Sequence, residues 1–311
     1  MKTHFLVRSV STSRCDNRQE PRLRVQPGDR VVMETRDASD GQVHPEMTSR
    51  EFGEIDKTRI HGLTGPVAVE GAEPGDVLEV VINGFTHEGW AWTSILPGLG
   101  LLEDEFDQPY LHIWQLEDNQ TTSMPGTRLE LRPFAGIIGV QRAEAGSFRT
   151  RPPGPWGGNM DVRHLTAGAR LFLPVATVGA GLCTGDCHAA QGDGEVSING
   201  MEAPMTVDYT LHLHKGQSLD GPYAITPGQQ VPSAYAEAPW MTFIESDPDP
   251  RSAARRIVLR AMETIMRRTG IRAEQACILC SVVLDLKLSQ LVNTPMTTVA
   301  GYLPEAIFTD R

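Results

Sequence analysis

The sequence lacks the hydrophobic segments that would direct a chain into or across a membrane. Its amino-terminal stretch, MKTHFLVRSVSTSRCDNRQEP, has no apolar core of the kind that signal peptides carry. No window approaches the run of about eighteen apolar residues that a membrane-spanning helix needs. Secretion through a signal peptide and a membrane-spanning role are therefore both disfavoured.

Positive charge and cysteine are also scarce. The chain has 28 Lys and Arg against 39 Asp and Glu, which gives a formal net charge of −11. A chain of this charge without a long basic run is not expected to bind nucleic acid. The cysteines are odd in number and unevenly spaced: Cys15, Cys183, Cys187, Cys277 and Cys280. This usage fits a reducing compartment better than a disulfide framework, so we expect a cytoplasmic protein.

Short strands are predicted over most of the chain. Gly and Pro punctuate residues 1–245, and the runs between them are β-branched or alternate between apolar and polar residues. Two runs, VQPGDRVVMET at 25–35 and AEPGDVLEVVI at 72–82, contain the same Pro-Gly-Asp turn, which predicts a strand directly after each. The expected fold is mainly β (α+β), with a β-sandwich or barrel-like core and C-terminal helices.

The pattern changes to helical spacing after ESDPDPRS. Apolar residues recur at intervals of three and four until Gly270, which predicts a helix over most of 252–268. A second helical pattern covers AEQACILCSVVLDL, whose β-branched residues allow a strand at its end. We therefore expect a β-rich catalytic region at 1–245 and a helical segment at 246–311 that packs on the same core.

Titratable residues are concentrated in CTGDCHAAQGDGEV, residues 183–196, where one histidine and three acids stand among glycines. Asp186 and His188 are two positions apart, so they share a face of an extended segment, and Asp193 and Glu195 repeat that spacing. A metal site is one explanation. A solvated turn is the alternative, since Asp and Gly are both frequent in turns.

Further polar groups could converge on this stretch from other predicted strand ends. They are Asp37, Asp40, His44, His61 and Glu70. The segment PPGPWGGNMDVRHL adds amide and carboxylate oxygens at Asn159 and Asp161, beside two glycines that permit a close backbone approach. Taken alone, each of these groups is equally typical of a turn or a surface residue.

Two common catalytic motifs are missing and one remains ambiguous. The glycines of VATVGAGLCTG are spaced one residue too long for a dinucleotide-binding loop, and neither GQSLDG nor AGSF matches a serine nucleophile elbow. Cys183 and Cys187, with His188, could build a zinc site or supply a thiolate nucleophile. They could also be two small buried side chains.

Three segments, in this order, resemble the acetamidase/formamidase family: HGLTGPVAVEGAEPGDVLEVVI, GGNMDVRHL and GDCHAAQGDGEV. The resemblance extends from the PGD…ETRDAS strand to SVVLDLKLSQLVN…LP, nearly the whole chain. It implies a β-rich, metal-dependent hydrolase of short amides that releases ammonia and a carboxylate. Trp156 precedes the Gly-Gly-Asn motif where some members carry His, a change that is expected to alter substrate size or preference.

Hydrolysis of an unactivated amide needs a strong nucleophile, a polarised carbonyl and a proton for the leaving amine. A bound Zn²⁺ supplies the first two, and a mixed shell of His and carboxylate is typical of catalytic zinc. The proposed ligands are His61, Asp186 and His188, with Asp37 as the next candidate.

Further roles are assigned around the expected metal. Glu195 is the expected general base, and Asn159 is expected to anchor the substrate amide or the oxyanion. Trp156 is expected to narrow the entrance beside Gly158, because glycine lets the backbone close in while indole supplies bulk. Asp193 is the third residue assigned to substrate binding.

Two other functions remain open at this point. A non-catalytic β-module could hold Ca²⁺ with the same oxygens, and an amidase could use Cys183 or Cys187 as its nucleophile. The preferred hypothesis is a zinc-dependent amidohydrolase whose ligand is a small amide and which assembles as a homo-oligomer.

Overall fold

A computed structural model of the chain describes residues 1–228, 233–290 and 295–309. The strands are β1 (Thr3–Leu6), β2 (Ser11–Thr12), β3 (Arg14–Asp16), β4 (Leu23–Val25), β5 (Arg30–Glu34), β6 (Leu63–Val69), β7 (Val77–His87), β8 (Trp90–Ile95), β9 (Tyr110–Gln115), β10 (Gln120–Thr121), β11 (Leu129–Glu130), β12 (Phe134–Gly139), β13 (Ser147–Arg149), β14 (Gly157–Asn159), β15 (Arg170–Pro174), β16 (Leu182–His188), β17 (Met205–His214), β18 (Tyr223–Ile225), β19 (Trp240–Asp247), β20 (Asp285–Gln290) and β21 (Thr297–Pro304). The helices are α1 (Ser49–Gly53), α2 (Ser233–Glu237), α3 (Pro250–Thr269) and α4 (Ala273–Val283).

Two six-stranded sheets form the core. The first has the order β1-β5-β17-β7-β15-β18, and the second has the order β14-β12-β16-β6-β2 with β4 also paired to β6. Tyr209 of the first sheet contacts Thr184 of the second through their hydroxyl groups, 3.2 Å apart, and both residues are buried. The mainly β prediction is confirmed, and within the described residues neither sheet closes into a barrel.

Alternating hydrophobicity accounts for the first sheet. Along β17 every second residue from Met205 to Leu211 is buried, as expected for a strand with one face on the core. The two Pro-Gly-Asp turns lie directly before β5 and β7, which flank β17 on either side. The predicted strand after each turn is therefore confirmed.

The C-terminal elements follow the helical periodicity. Asp249 caps α3 by accepting hydrogen bonds from two backbone N–H groups of its first turn, and Gly270, at φ 74°, ends it. The helix predicted over 252–268 is confirmed, as are the second helix and the strand that follows it. Because β20 and β21 also lie in residues 246–311, that segment is not purely helical.

Several predictions about the whole chain are not tested by this fold. None of the described helices is long and apolar enough to cross a membrane. The boundary at residue 245, the cytoplasmic location and the homo-oligomer stay predictions. Residues 291–294, part of the C-terminal stretch SVVLDLKLSQLVN, lie outside the described residues.

Candidate active site

Strand β16 supplies the centre of the site. It lies between β12 and β6 in the second sheet and carries Asp186 and His188, which are 3% and 1% exposed. Nε2 of His188 lies 3.9 Å from Oδ1 of Asp186. The predicted pairing of these two side chains is therefore present, and it is buried rather than a solvated turn.

Three carboxylates complete the cluster. Asp161, Asp186 and His188 form one set of possible metal ligands, and His188, Glu195 and Glu202 form another. Within each set the ligand atoms lie within 4.8 Å of one another. His188 belongs to both sets, so the five side chains form a single cluster around its ring, which we call the acidic cluster.

His61 approaches the acidic cluster from one side. Its Nε2 lies 3.9 Å from Oδ2 of Asp186, and its backbone N–H donates to the carbonyl of Ala38 at 2.7 Å. It is not a member of either ligand set. Asp161, and not His61, is grouped with Asp186 and His188.

The ring of His188 is oriented by Gln191. Nδ1 of His188 lies 2.7 Å from Oε1 of Gln191, and the amide nitrogen of Gln191 donates to the backbone carbonyl of Asp161 at 3.0 Å. Because an amide oxygen only accepts, Nδ1 carries the proton in this pair. The other ring nitrogen, Nε2, points at Oε1 of Glu202, 3.1 Å away.

The acidic cluster contains four acids and one histidine, all largely buried, and this environment shifts the pKa values of the acids. Burial raises the pKa of Asp161 to about 7 and that of Glu202 to about 8, although His188 opposes both shifts. Burial and the neighbouring Asp161 raise the pKa of Glu195 well above its usual range. Burial also works against ionisation of Asp186, but His61 and His188 hold its pKa below the usual range.

Several oxygens of the site are buried without a hydrogen-bond partner. They are Oδ1 of Asn159, Oδ1 of Asp161, Oδ1 of Asp186 and Oε2 of Glu202. Buried polar atoms normally have a protein, water or ion partner, so these oxygens point to a ligand. Carboxylates beside an imidazole suit a divalent cation, which would also neutralise the excess of acids.

The four acids of the acidic cluster form the floor of a cavity of about 600 Å³, whose lining does not include His188. His61 and Asn159 line the cavity beside Asp161, Asp186, Glu195 and Glu202. An apolar wall, which includes Phe52, Ile55, Trp92, Leu96, Leu99 and Ile198, extends from the floor. This combination of apolar lining and a few convergent polar groups is the usual form of a small-molecule site.

Backbone strain is concentrated at this cavity. Eight described residues other than glycine have a positive φ, and five of them line it: His61, Asp161, Asp186, Glu195 and Ile198. Left-handed conformations are costly for these residue types and collect at functional sites. At Asp186, φ is 54°, although the residue lies within strand β16, where extended backbone has a negative φ.

The structure does not bring Asp37 into the acidic cluster. Asp37 is 2% exposed and accepts hydrogen bonds from the backbone N–H of Ser39 at 2.9 Å and from the indole N–H of Trp92 at 3.1 Å. Burial raises its pKa, and these hydrogen bonds oppose the shift. The carboxylate of Asp37 therefore holds Trp92, a residue of the cavity wall, in place.

The three residues assigned to substrate binding, Trp156, Gly158 and Asp193, lie outside the cavity lining. The indole of Trp156 packs against the guanidinium of Arg142, whose carbon lies 3.9 Å from the ring centroid, and it does not line the cavity. Gly158 lies behind this ring, and a β-carbon there would come within 3.1 Å of the indole nitrogen. Asp193 forms an ion pair with Arg163 at 3.2 Å.

Sequence reasoning did not assign Glu202 or Gln191 to the site, and treated Asp161 only as an oxygen donor. Gln191 follows His188 by three residues, a local signal that could have been read. Glu202 reaches the site through a backbone bridge to His188 across an intervening loop. No spacing in the sequence indicates that contact.

Neither thiol near the cluster fits a nucleophile. Burial raises the pKa of Cys187 to about 12, and its sulfur lies 3.4 Å from the hydroxyl of Thr35 in the core. Burial likewise raises the pKa of Cys183 far above its usual range. Neither residue lines the cavity. Because the thiolate is the reactive form, a cysteine-dependent reaction has no support here.

Comparison with known proteins agrees with these features. An acetamidase of Mycolicibacterium smegmatis is 30% identical over 331 residues, covering 81% of this chain and 80% of the relative. A formamidase of Methylophilus methylotrophus is 28% identical over 354 residues, covering 91% and 86%. A gamma lactamase from Delftia acidovorans has a similar solved structure, with a TM-score of 0.89 and 25% identity over 96% of this chain and 90% of that chain.

The model of the acetamidase/formamidase family matches residues 9–145 and 140–310, which together are nearly the whole chain. All three sequence motifs lie in the matched segments, and two of them supply residues of the acidic cluster. The chain therefore belongs to the acetamidase/formamidase family and is an amidohydrolase.

Proposed function

We propose that the protein hydrolyses short-chain amides such as formamide or acetamide in this cavity, with a divalent metal ion held by Asp161, Asp186 and His188. The observation that carries the proposal is the convergence of two unpartnered carboxylate oxygens, from Asp161 and Asp186, with the ring of His188 at the floor of the cavity that both acids line. His61, 3.9 Å from Asp186, is the candidate for a further ligand. The imidazole favours zinc over calcium, which prefers oxygen ligands.

When bound, the ion would polarise the amide carbonyl and lower the pKa of water towards about 7. The residues around it would do the remaining work. Asn159 has a buried amide oxygen without a partner, which can accept from the substrate N–H while its own amide N–H donates to the substrate carbonyl. This contact would orient the amide over the floor.

Glu195 is assigned to move the proton. Its carboxyl faces the cavity, and an acid whose pKa is raised accepts a proton more readily than an ordinary glutamate does. It would take a proton from water and deliver it to the leaving nitrogen. The overall reaction is amide plus water to carboxylate plus ammonium, with no other reactant.

Ammonia release from formamide, acetamide and longer primary amides tests the proposal, and the amino acid formed by ring opening reports hydrolysis of a γ-lactam. We expect Asp186→Asn and His188→Ala to abolish release and to lose bound metal, whereas Glu195→Gln abolishes release and keeps the metal. Cys183→Ala is the matched control on the same strand, with activity retained. Unchanged release in both ligand variants would refute the assignment, and loss of release in the cysteine variant alone would favour the thiol.

A further inference from the structure

The cavity has a cationic mouth above its acidic floor. Arg14, Lys57, Arg149 and Arg151 line the same cavity as the acidic cluster, and all four are exposed whereas Asp186 is buried. In a chain of net charge −11 this local excess of positive charge is unusual. Within the part of the chain that the structure describes, none of these four cations forms an ion pair with a carboxylate.

Two of the arginines are held against each other. Strands β3 and β13 form an antiparallel ribbon in which Arg14 is the direct partner of Arg149. Like charges at directly opposed positions destabilise a strand pair. Arg14 is further fixed by a hydrogen bond of 3.2 Å from its Nε to the hydroxyl of Ser147 on the partner strand. The ribbon therefore carries two guanidinium groups without a carboxylate partner, and the planar fork of a guanidinium suits a carboxylate.

The space between mouth and floor is apolar and larger than the smallest amides need. The wall contains Phe52, Trp92 and Leu96, and the cavity volume of about 600 Å³ is in the range of drug-sized ligands. A substrate that spans it would have an uncharged end at the acidic floor, an apolar middle along the wall and an anionic end at the mouth. The reversed orientation would place a carboxylate against the buried acids.

We infer that the preferred substrates are ω-carboxy amides, in which a primary amide is joined by a short methylene chain to a carboxylate. This inference rests on the proposed function and deepens it. The reaction is ⁻OOC–(CH₂)ₙ–CONH₂ + H₂O → ⁻OOC–(CH₂)ₙ–COO⁻ + NH₄⁺, in which the C–N bond breaks and water supplies the new carboxylate oxygen. The dicarboxylate product carries charge at both ends, so the acidic floor would favour its release.

The monoamide of adipic acid and adipamide, its diamide, form a matched pair of substrates. They have nearly the same shape, and only the monoamide is anionic. We compare kcat/KM for the two, corrected for the two amide groups of the diamide, at low and at high salt. The variants are Arg14→Gln with Arg149→Gln in one protein, and Arg24→Gln as a control for an exposed arginine outside the cavity, on β4.

We expect the wild type to favour the monoamide by about tenfold at low salt, and the preference to shrink at high salt because charge steering is screened. The double variant should lose this preference with unchanged adipamide turnover, and it should stay folded because it removes a repulsion. The Arg24 variant should match the wild type. Equal turnover of the two substrates by the wild type, or a preference that survives in the double variant, would overturn the inference and leave amide hydrolysis standing. Failure to hydrolyse any amide would overturn both.

Discussion

One buried side chain decides which nitrogen of His188 is free for the site. Gln191 accepts from Nδ1 at 2.7 Å and is itself held by Arg163, whose guanidinium donates to its backbone carbonyl at 3.3 Å. The amide of Gln191 also ties down the backbone of Asp161. Two members of the acidic cluster are therefore held in place by a residue that does not line the cavity.

Replacing Gln191 with Leu should leave the Nδ1 proton unpaired and release the ring. We expect metal affinity to fall by about 10- to 100-fold, as is typical when a hydrogen bond behind a ligand is removed. Stability should fall by about 1–3 kcal/mol, the usual cost of a buried unpaired donor. Gln191→Glu, which keeps an acceptor, should bind metal more tightly than the Leu variant. Equilibrium metal titration of the three proteins decides this, and equal affinities would exclude a positioning role.

At the scale of the strand, β12 has to leave room for the cluster that β16 carries. A β-carbon at Gly136 would lie 2.6 Å from Oδ1 of Asp161, 2.7 Å from the backbone oxygen of Asp186 and 3.1 Å from Nε2 of His188. The glycine thus permits the carboxylate, which follows β14, and the imidazole on β16 to approach each other over β12, the strand between them.

Gly136→Ala should therefore displace the ligands. We expect ammonia release to be lost and the protein to be destabilised by about 1–3 kcal/mol, because the added methyl overpacks a close contact. Gly84→Ala on β7 is the control, since a β-carbon there would have no neighbour within 4 Å. Thermal unfolding and ammonia release are measured on both variants. Wild-type activity in Gly136→Ala would show that the floor tolerates the methyl and is not tightly packed.

The sequence predicted the elements better than the contacts between them. Period-two and helical patterns are local, so the strands before residue 245 and the helix over 252–268 were predicted correctly. Asp186 and His188 were found because they share one strand. Glu202 was missed because its place beside His188 depends on a bridge between distant residues.

The same limit explains why Trp156 was assigned to the substrate. Its neighbouring glycines indicated a close approach but not which side the indole would take. In the structure the indole lies against the guanidinium of Arg142 and not in the cavity. The direction of the Trp156 side chain depends on the backbone angles of the glycine pair that follows it. Here φ is 84° at Gly157 and 89° at Gly158, and composition does not specify these angles.

At the scale of the whole molecule, four separate segments build one site on a single sheet. One cavity is lined by residues from strand β16, from the segment of His61, from the end of β14 and from the loop that carries Glu195. The fold thereby places unpaired carboxylates where a cation and an amide can meet. If hydrolysis depends on a metal ion bound there, the protein must lose its activity when the ion is removed.

Stepwise return of metal to metal-free protein tests this requirement most directly. The protein is treated with a chelator until mass spectrometry detects no bound metal, and ammonia release from acetamide is then measured as Zn²⁺ is added. We expect activity to vanish and to return in proportion to the metal, with a plateau at one ion per chain because the two ligand sets share His188. Full ammonia release by the verified metal-free protein would contradict a metal-dependent mechanism.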